Sequence, residues 1–125
     1  MGLPDGRILI VQDDFLAAER LRVVLDEAGY DVVGLAGRTL EALDLARRHQ
    51  PDIAVVDMML EIDVDGFATA QELAKLHRLR ILITTGFPDS VVRDEGADKI
   101  ACAVVRKPYA DEEILEAVAD CFQDA

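Results

Sequence analysis

The stretch RILIVQDD, residues 7–14, sets a short apolar run against a polar residue and two adjacent carboxylates. Arg7–Val11 has the composition of a buried strand, and Asp13 and Asp14 stand just beyond its end. Neighbouring carboxylates repel each other, and burial strengthens the repulsion. The pair is therefore either fully solvated or accompanied by a cation. Residues elsewhere in the chain distinguish these two cases.

Similar apolar runs recur along the chain and alternate with amphipathic stretches. The predicted strands are Arg7–Val11, Asp31–Ala36, Ile53–Val56, Ile81–Thr84 and Ala101–Val105. The predicted helices are Phe15–Ala28, Thr39–His49, Phe67–Leu76 and Asp111–Phe122, and Pro88–Ile100 has a weak helical pattern. Continuous apolar strands that alternate with helices indicate βαβ units. The sequence therefore predicts a doubly wound α/β domain whose parallel sheet is covered on both faces.

Composition narrows the class of protein. The 125 residues are 51% hydrophobic, which is enough for one core. A net charge of −12 argues against binding to nucleic acid. No apolar run approaches the roughly 20 residues that span a bilayer, and no secretory signal is seen, so we expect a cytoplasmic protein without a membrane partner. Cys102 and Cys121 are then expected to be reduced thiols.

No repeat, linker or low-complexity segment interrupts the alternation of strands and helices. We therefore expect residues 1–125 to form a single stand-alone domain without an output domain. Any output of such a domain has to pass through a partner protein.

Polar residues follow the other predicted strands as well. Asp57 closes the third strand, Thr85 and Gly86 follow the fourth, and Lys107 follows the fifth. Each has an ordinary explanation alone, and Asp14 in particular could cap the first helix. Together, however, they occupy the carboxyl ends of the strands, where open α/β sheets bind their ligands.

Binding of a metal ion and a phosphoryl group would explain why these polar residues occur together at the strand ends. Crowded carboxylates call for a hard cation, and ligation by oxygen alone suits Mg²⁺. A nearby lysine and hydroxyl would neutralise and orient a phosphoryl group. A carboxylate among them can be the nucleophile that forms an aspartyl phosphate.

These motifs resemble the receiver domains of two-component response regulators over essentially the whole chain. The resemblance implies a flavodoxin-like (βα)5 fold with strand order 2-1-3-4-5. It also implies that Asp57 is the phosphoacceptor, that Thr85 bonds the phosphoryl oxygen, and that Lys107 pairs with it. In this family the bond from Lys107 to Pro108 is usually cis.

The resemblance further implies a Mg²⁺ site. Asp14, Asp57 and the backbone carbonyl of Met59 would ligate the cation, and Asp13 would act through a bound water. The implied donor is a sensor histidine kinase, and the downstream partner is an unknown protein. Apart from its own phosphorylation and slow dephosphorylation, such a domain is not expected to be an enzyme.

Some traits depart from the common pattern of the family. Val104 stands where receivers usually carry the aromatic residue that moves on phosphorylation. The ending TTGF of the fourth strand, residues 84–87, resembles the stand-alone branch nicknamed FAT GUY, which implies a kinase of the HWE/HisKA2 type. Met59 and Phe87 would flank the path of the attacking water, and their apolar side chains predict a long-lived phosphate. The segment Pro88–Ile100 is expected to be mobile and to change most on activation.

Several alternatives stay open. The domain could be a pseudo-receiver that only offers an interaction surface, or it could drain a kinase as a phosphate sink. A magnesium-dependent phosphohydrolase is disfavoured, because Met59 stands where such enzymes need a second acid. A flavodoxin-like FMN binder is disfavoured too, because the acidic loop after the first strand would repel phosphate. The stretch Glu61–Glu72 has the spacing of a calcium loop, but its first position and its preceding strand do not fit one.

Overall fold

Five parallel strands alternate with helices along the described part of the chain. The computed structural model describes residues 6–58, 66–76, 79–88, 93 and 96–123. The strands are β1 (Arg7–Val11), β2 (Asp31–Ala36), β3 (Ile53–Asp57), β4 (Arg80–Thr85) and β5 (Ala101–Arg106). The helices are α1 (Phe15–Glu27), α2 (Thr39–His49), α3 (Gly66–Ala74), the single turn α4 (Ala97–Ile100) and α5 (Asp111–Gln123). The strand order is β2-β1-β3-β4-β5, so the predicted doubly wound α/β fold is confirmed.

The sheet separates two layers of apolar side chains, because successive residues of a strand point to opposite faces. From β1, Leu9 and Val11 pack in the layer that α2 and α3 cover. Ile8 and Ile10 pack in the layer that α1 and α5 cover. All four side chains are fully buried. This double burial is why the strands read as unbroken apolar runs.

Helix α1 begins and ends at residues suited to those positions. Asp14 is its N-cap, and one carboxylate oxygen accepts hydrogen bonds from the backbone N–H groups of Leu16 and Ala17. At the other end Gly29 has a φ of 98°, a left-handed conformation that glycine adopts without steric cost. These two ends fix where the chain leaves β1 and enters β2.

The strand register brings the carboxyl ends of four strands together. Val11 of β1 pairs with Val56 of β3, and this is the last pair between the two strands. Gln12 and Asp57, which follow these two residues, therefore lie at the same edge of the sheet. Asp57 pairs with Thr84, and Thr85 of β4 pairs with Arg106 of β5. Strands β3, β4 and β5 each extend one residue beyond the predicted end, so Asp57 and Thr85 belong to the sheet itself.

The two cysteines are joined, contrary to the expectation of reduced thiols. Cys102 on β5 and Cys121 on α5 form a disulfide bond, with Cα atoms 5.4 Å apart. The expectation was wrong because the side of α5 that packs on the sheet brings Cys121 against β5. The Cys102 sulfur also lies 3.2 Å from the carbonyl oxygen of Ile81, which could accept a hydrogen bond from the thiol only after reduction.

Two predicted segments lie only partly within the described residues. Of Pro88–Ile100, only residues 88, 93 and 96–100 are described, and α4 is its helical turn. Of the calcium-like stretch Glu61–Glu72, only residues 66–72 are described, and they begin α3. Across the described ranges, no helix is both long enough and apolar enough to cross a membrane.

Candidate functional site

Asp57 is the buried acid of the site at the carboxyl end of the sheet. Its side chain is only 4% exposed, and Lys107 Nζ lies 2.6 Å from its Oδ2. Lys107 itself is about one-third exposed, so the ammonium reaches inward from the surface to the buried carboxylate. Because a buried carboxylate requires a partner, Lys107 compensates Asp57 at the end of an apolar strand.

Gln12 is a site residue that the sequence analysis did not single out. Its Nε2 donates a hydrogen bond of 2.7 Å to Asp57 Oδ2, the same oxygen that faces Lys107. Its backbone N–H donates to the carbonyl of Ala36, which extends the pairing of β1 with β2 by one residue. The position of Gln12 at the end of β1 could have indicated this contact. Gln12 directly follows Val11, and Asp57 directly follows Val56, which pairs with Val11 on the neighbouring strand.

The predicted acid pair has a different arrangement from the one expected. Asp14 is exposed and caps α1, which is the alternative role that its position suggested. Asp13 is half-buried and lies close to the backbone of Gly37, which follows β2. Among the described residues, no group of three or more Asp, Glu, His or Cys side chains could hold a metal ion. The expected cluster of three carboxylates is therefore not formed here, because Asp14 turns to the helix and Gln12 contacts Asp57.

The donor set nevertheless suits a hard cation. Asp13 and Asp57 carry carboxylate oxygens, which Mg²⁺ prefers. Gln12 adds an amide oxygen at the same strand ends, although that oxygen now accepts from the backbone N–H of Asp14 at 3.0 Å. Met59, whose carbonyl was another predicted ligand, lies outside the described residues.

Thr85 is buried at the end of β4, beside the pair of Asp57 and Lys107. Its hydroxyl oxygen accepts a hydrogen bond of 2.9 Å from the backbone N–H of Phe87, and its carbonyl accepts one of 2.8 Å from the backbone N–H of Lys107. Because the hydroxyl oxygen is the acceptor in that bond, the hydroxyl proton is available to donate to a different group. A phosphoryl oxygen on Asp57 is an acceptor of the right kind.

The turn after β5 directs Lys107 and Tyr109 around a cis peptide bond between Lys107 and Pro108, as the family resemblance implied. Burial raises the pKa of the Tyr109 phenol above its usual range, and the negative charge of Asp57 raises it further. The nearby guanidinium of Arg20 acts in the opposite direction. Tyr109 thus senses the charge on the predicted phosphoacceptor.

A cavity of about 410 Å³ adjoins the site between α1 and the start of α5. Gln12, Lys107 and Tyr109 are among its lining residues, together with Arg20 and Asp111, whose charged groups lie 3.6 Å apart at its exposed edge. The cavity therefore borders two side chains that bond Asp57, those of Gln12 and Lys107.

Two apolar residues near the site pack against the core. Val104, which replaces the usual aromatic residue, is half-buried against the layer under α2 and α3. Phe87 is half-buried against the same layer. The ring of Phe87 therefore has a packing role in addition to any effect on water access.

A buried aspartate, a lysine and a threonine thus meet at the carboxyl ends of β3, β5 and β4, which is the arrangement that the family resemblance implied. Residues 8–119 match the response regulator receiver domain family. The chain belongs to that family, whose members act in two-component signalling. Receiver domains in general interact with a histidine kinase and bind Mg²⁺ in phosphorylation.

Curated relatives agree with this assignment. The transcriptional regulatory protein PdtaR of Mycobacterium tuberculosis is 32% identical over 112 residues, which cover 90% of this chain and 54% of PdtaR. The response regulator MprA of Mycobacterium sp. is 38% identical over 110 residues, which cover 87% of this chain and 47% of MprA. The chain thus spans about half the length of these relatives.

Solved structures share the fold. The signal receiver domain of a modulated diguanylate cyclase from Desulfovibrio desulfuricans G20 superposes with a TM-score of 0.85 and 32% identity, covering 96% of this chain and 95% of that domain. A receiver domain protein from Clostridium thermocellum has a TM-score of 0.84 at 20% identity, with 95% of each chain covered, and shows likeness of fold alone.

Proposed function

We propose that this domain accepts a phosphoryl group from a histidine kinase onto Asp57 and thereby changes the surface that it offers to a downstream protein. The observation that carries the proposal is the buried Asp57 carboxylate, which Lys107 Nζ approaches to 2.6 Å at the ligand-binding edge of the sheet. A buried carboxylate held beside an ammonium is a nucleophile whose product, a dianionic phosphoryl group, would meet a cation already in place.

The transfer step follows from the chemistry of the site. An Asp57 carboxylate oxygen attacks phosphorus, the new O–P bond forms, and the bond from phosphorus to the kinase histidine nitrogen breaks, with its electron pair leaving on that nitrogen. Lys107 then pairs with the phosphoryl oxygens, and the Thr85 hydroxyl donates a hydrogen bond to one of them. Hydrolysis of the product is slow unless a water is positioned in line.

Magnesium would neutralise charge on the transferring group when bound. The family resemblance implied Asp14, Asp57 and the Met59 carbonyl as its ligands, with Asp13 acting through a bound water. The observed contacts favour Asp13 and Asp57, because the Asp14 carboxylate is engaged with the N-terminus of α1. Asp14 is then a residue that shapes the loop after β1.

The proposed partners are a histidine kinase and a downstream protein. The branch resemblance favours a kinase of the HWE/HisKA2 type. Transmission to a downstream protein and drainage of a kinase as a phosphate sink both begin with the same phosphorylated Asp57, and the lifetime of that phosphate distinguishes them.

The test is incubation with acetyl phosphate and Mg²⁺, followed by intact-mass measurement. We expect one added phosphoryl group on the wild type and none on Asp57→Asn. A matched control is Asp44→Asn, which removes a carboxylate from the exposed pair with Arg48 on α2 and should be labelled like the wild type. Absence of labelling of the wild type, by acetyl phosphate and by candidate kinases, would favour the pseudo-receiver instead.

A further inference from the structure

Both ends of the Gln12 side-chain amide are engaged. Nε2 donates to Asp57 Oδ2 at 2.7 Å, and Oε1 accepts from the backbone N–H of Asp14 at 3.0 Å. Only a donor can face the carboxylate and only an acceptor can face the N–H group, so these two partners determine the orientation of the amide. Gln12 therefore connects the loop after β1 directly to the phosphoacceptor.

The bond from Gln12 is strong in the unphosphorylated state because its acceptor is charged and buried. Asp57 is 3% exposed, and its Oδ2 accepts from both Gln12 and Lys107. Hydrogen bonds to an ionised acceptor are roughly twice as strong as neutral ones. Removal of such a donor leaves a buried charge less well satisfied.

Phosphorylation would change this balance. In an acyl phosphate the negative charge resides on the phosphoryl oxygens, and the carboxyl oxygens of Asp57 become weaker acceptors. Lys107 is a cation on a flexible stem and can follow the charge. Gln12 is neutral and is tethered to the N–H of Asp14, so it gains less by following. The cavity of about 410 Å³ that Gln12 helps to line offers space for a displaced side chain.

We propose that Gln12 is a positioning residue that stabilises the unphosphorylated Asp57 and releases it on phosphorylation. This role rests on the proposed function, since it concerns the same carboxylate. By linkage, an interaction made only in the unphosphorylated state lowers the tendency of Asp57 to accept the phosphoryl group. Gln12 would thus set how readily the domain is phosphorylated.

The test compares two substitutions at Gln12 with matched controls. Gln12→Met removes both hydrogen bonds at similar length, and Gln12→Glu keeps the acceptor for Asp14 N–H while losing the donor to Asp57. Gln71→Met and Gln71→Glu make the same changes at an exposed glutamine of α3. The first readout is the labelling rate with subsaturating acetyl phosphate at fixed, saturating Mg²⁺. We expect about a three- to tenfold rise for both Gln12 variants and no change for the Gln71 variants.

A second readout does not depend on rates. In the wild type, the side-chain amide NMR signals of Gln12 should move on phosphorylation toward those of an amide without a hydrogen bond. If Gln12 kept its hydrogen bond to Asp57, this movement would not occur. An unchanged or lower labelling rate in both Gln12 variants, or Gln12 signals that do not move, would overturn the proposal. If the wild type is labelled while the Gln12 variants match it, only the role of Gln12 fails. If the wild type is never labelled on Asp57, the proposed function fails and this role fails with it.

Discussion

Lys107 Nζ lies 2.6 Å from Asp57 Oδ2, although the two residues are 50 positions apart in the chain. The carboxylate is buried and the ammonium is partly exposed, so the pair spans the boundary between core and solvent. We therefore expect the stability of the folded domain to depend on this ion pair.

Lys107→Met should therefore destabilise the unphosphorylated protein by about 1–3 kcal/mol at pH 7, because a buried carboxylate loses a charged donor. The measurement is urea unfolding of the wild type, Lys107→Met, Asp57→Asn and the double variant. The cost of Lys107→Met should largely disappear in the Asp57→Asn background. Lys75→Met, which breaks an exposed pair with Glu72, is the control and should cost less than about 0.5 kcal/mol. Equal costs of Lys107→Met in both backgrounds would contradict the coupling.

The two acids after β1 should differ in their roles. Asp14→Ala is expected to cost about 1 kcal/mol of stability because α1 loses its N-cap, whereas Asp14→Asn should cost little, since asparagine caps as well. Asp13→Asn should weaken Mg²⁺ binding, measured by calorimetry, more than Asp14→Asn does. A larger loss of Mg²⁺ affinity in Asp14→Asn would restore Asp14 as the principal ligand of the pair.

The disulfide bond should contribute to stability. Cys102 and Cys121 are separated by 19 positions, and closing a loop of that size stabilises a folded domain by about 3 kcal/mol in the chain-entropy model. We expect a reductant to lower the free energy of unfolding by about that amount. The double variant Cys102→Ser/Cys121→Ser should unfold identically with and without reductant. A wild type that is insensitive to the reductant would show that the bond adds no stability.

Alkaline pH should reveal the burial of Tyr109. Its pKa is raised in the folded protein by burial first and by the charge of Asp57 second, so folding favours the protonated phenol. The resulting stability is complete below about pH 10 and is lost as the pH rises through the raised pKa. Absorbance titration in a Tyr30→Phe background, which leaves one tyrosine, should give a lower pKa for Tyr109 when Asp57→Asn is added. An identical pKa in both proteins would exclude the influence of Asp57.

The lifetime of the phosphate should depend on Met59. An apolar side chain at that position cannot orient an attacking water, so Met59→Asn is expected to shorten the lifetime about tenfold, or about 1.4 kcal/mol of barrier. Phe87→Ala should act mainly on stability, because Phe87 packs against the core layer under α2 and α3. Loss of phosphate is followed at fixed Mg²⁺ after removal of the donor. Equal phosphate lifetimes in the wild type and Met59→Asn would show that Met59 does not control the access of the attacking water.

The sequence by itself determined the alternation of strands and helices, because residues buried on both faces of a parallel sheet must be apolar and therefore read as continuous runs. It also identified Asp57, Thr85 and Lys107, since each follows or ends such a run and strand ends meet at one edge. Those inferences need only local pattern and the geometry common to all parallel sheets.

Only the tertiary structure decided which neighbours those residues have. Gln12 contacts Asp57, and Asp14 turns to cap α1, because the register of β1 against β3 sets which residue of the QDD triplet lies opposite Asp57. The pairing of Cys102 with Cys121 likewise depends on which side of α5 packs against β5. Such contacts join residues that are distant in the chain, and they depend on strand register and helix rotation, which composition and periodicity leave undetermined.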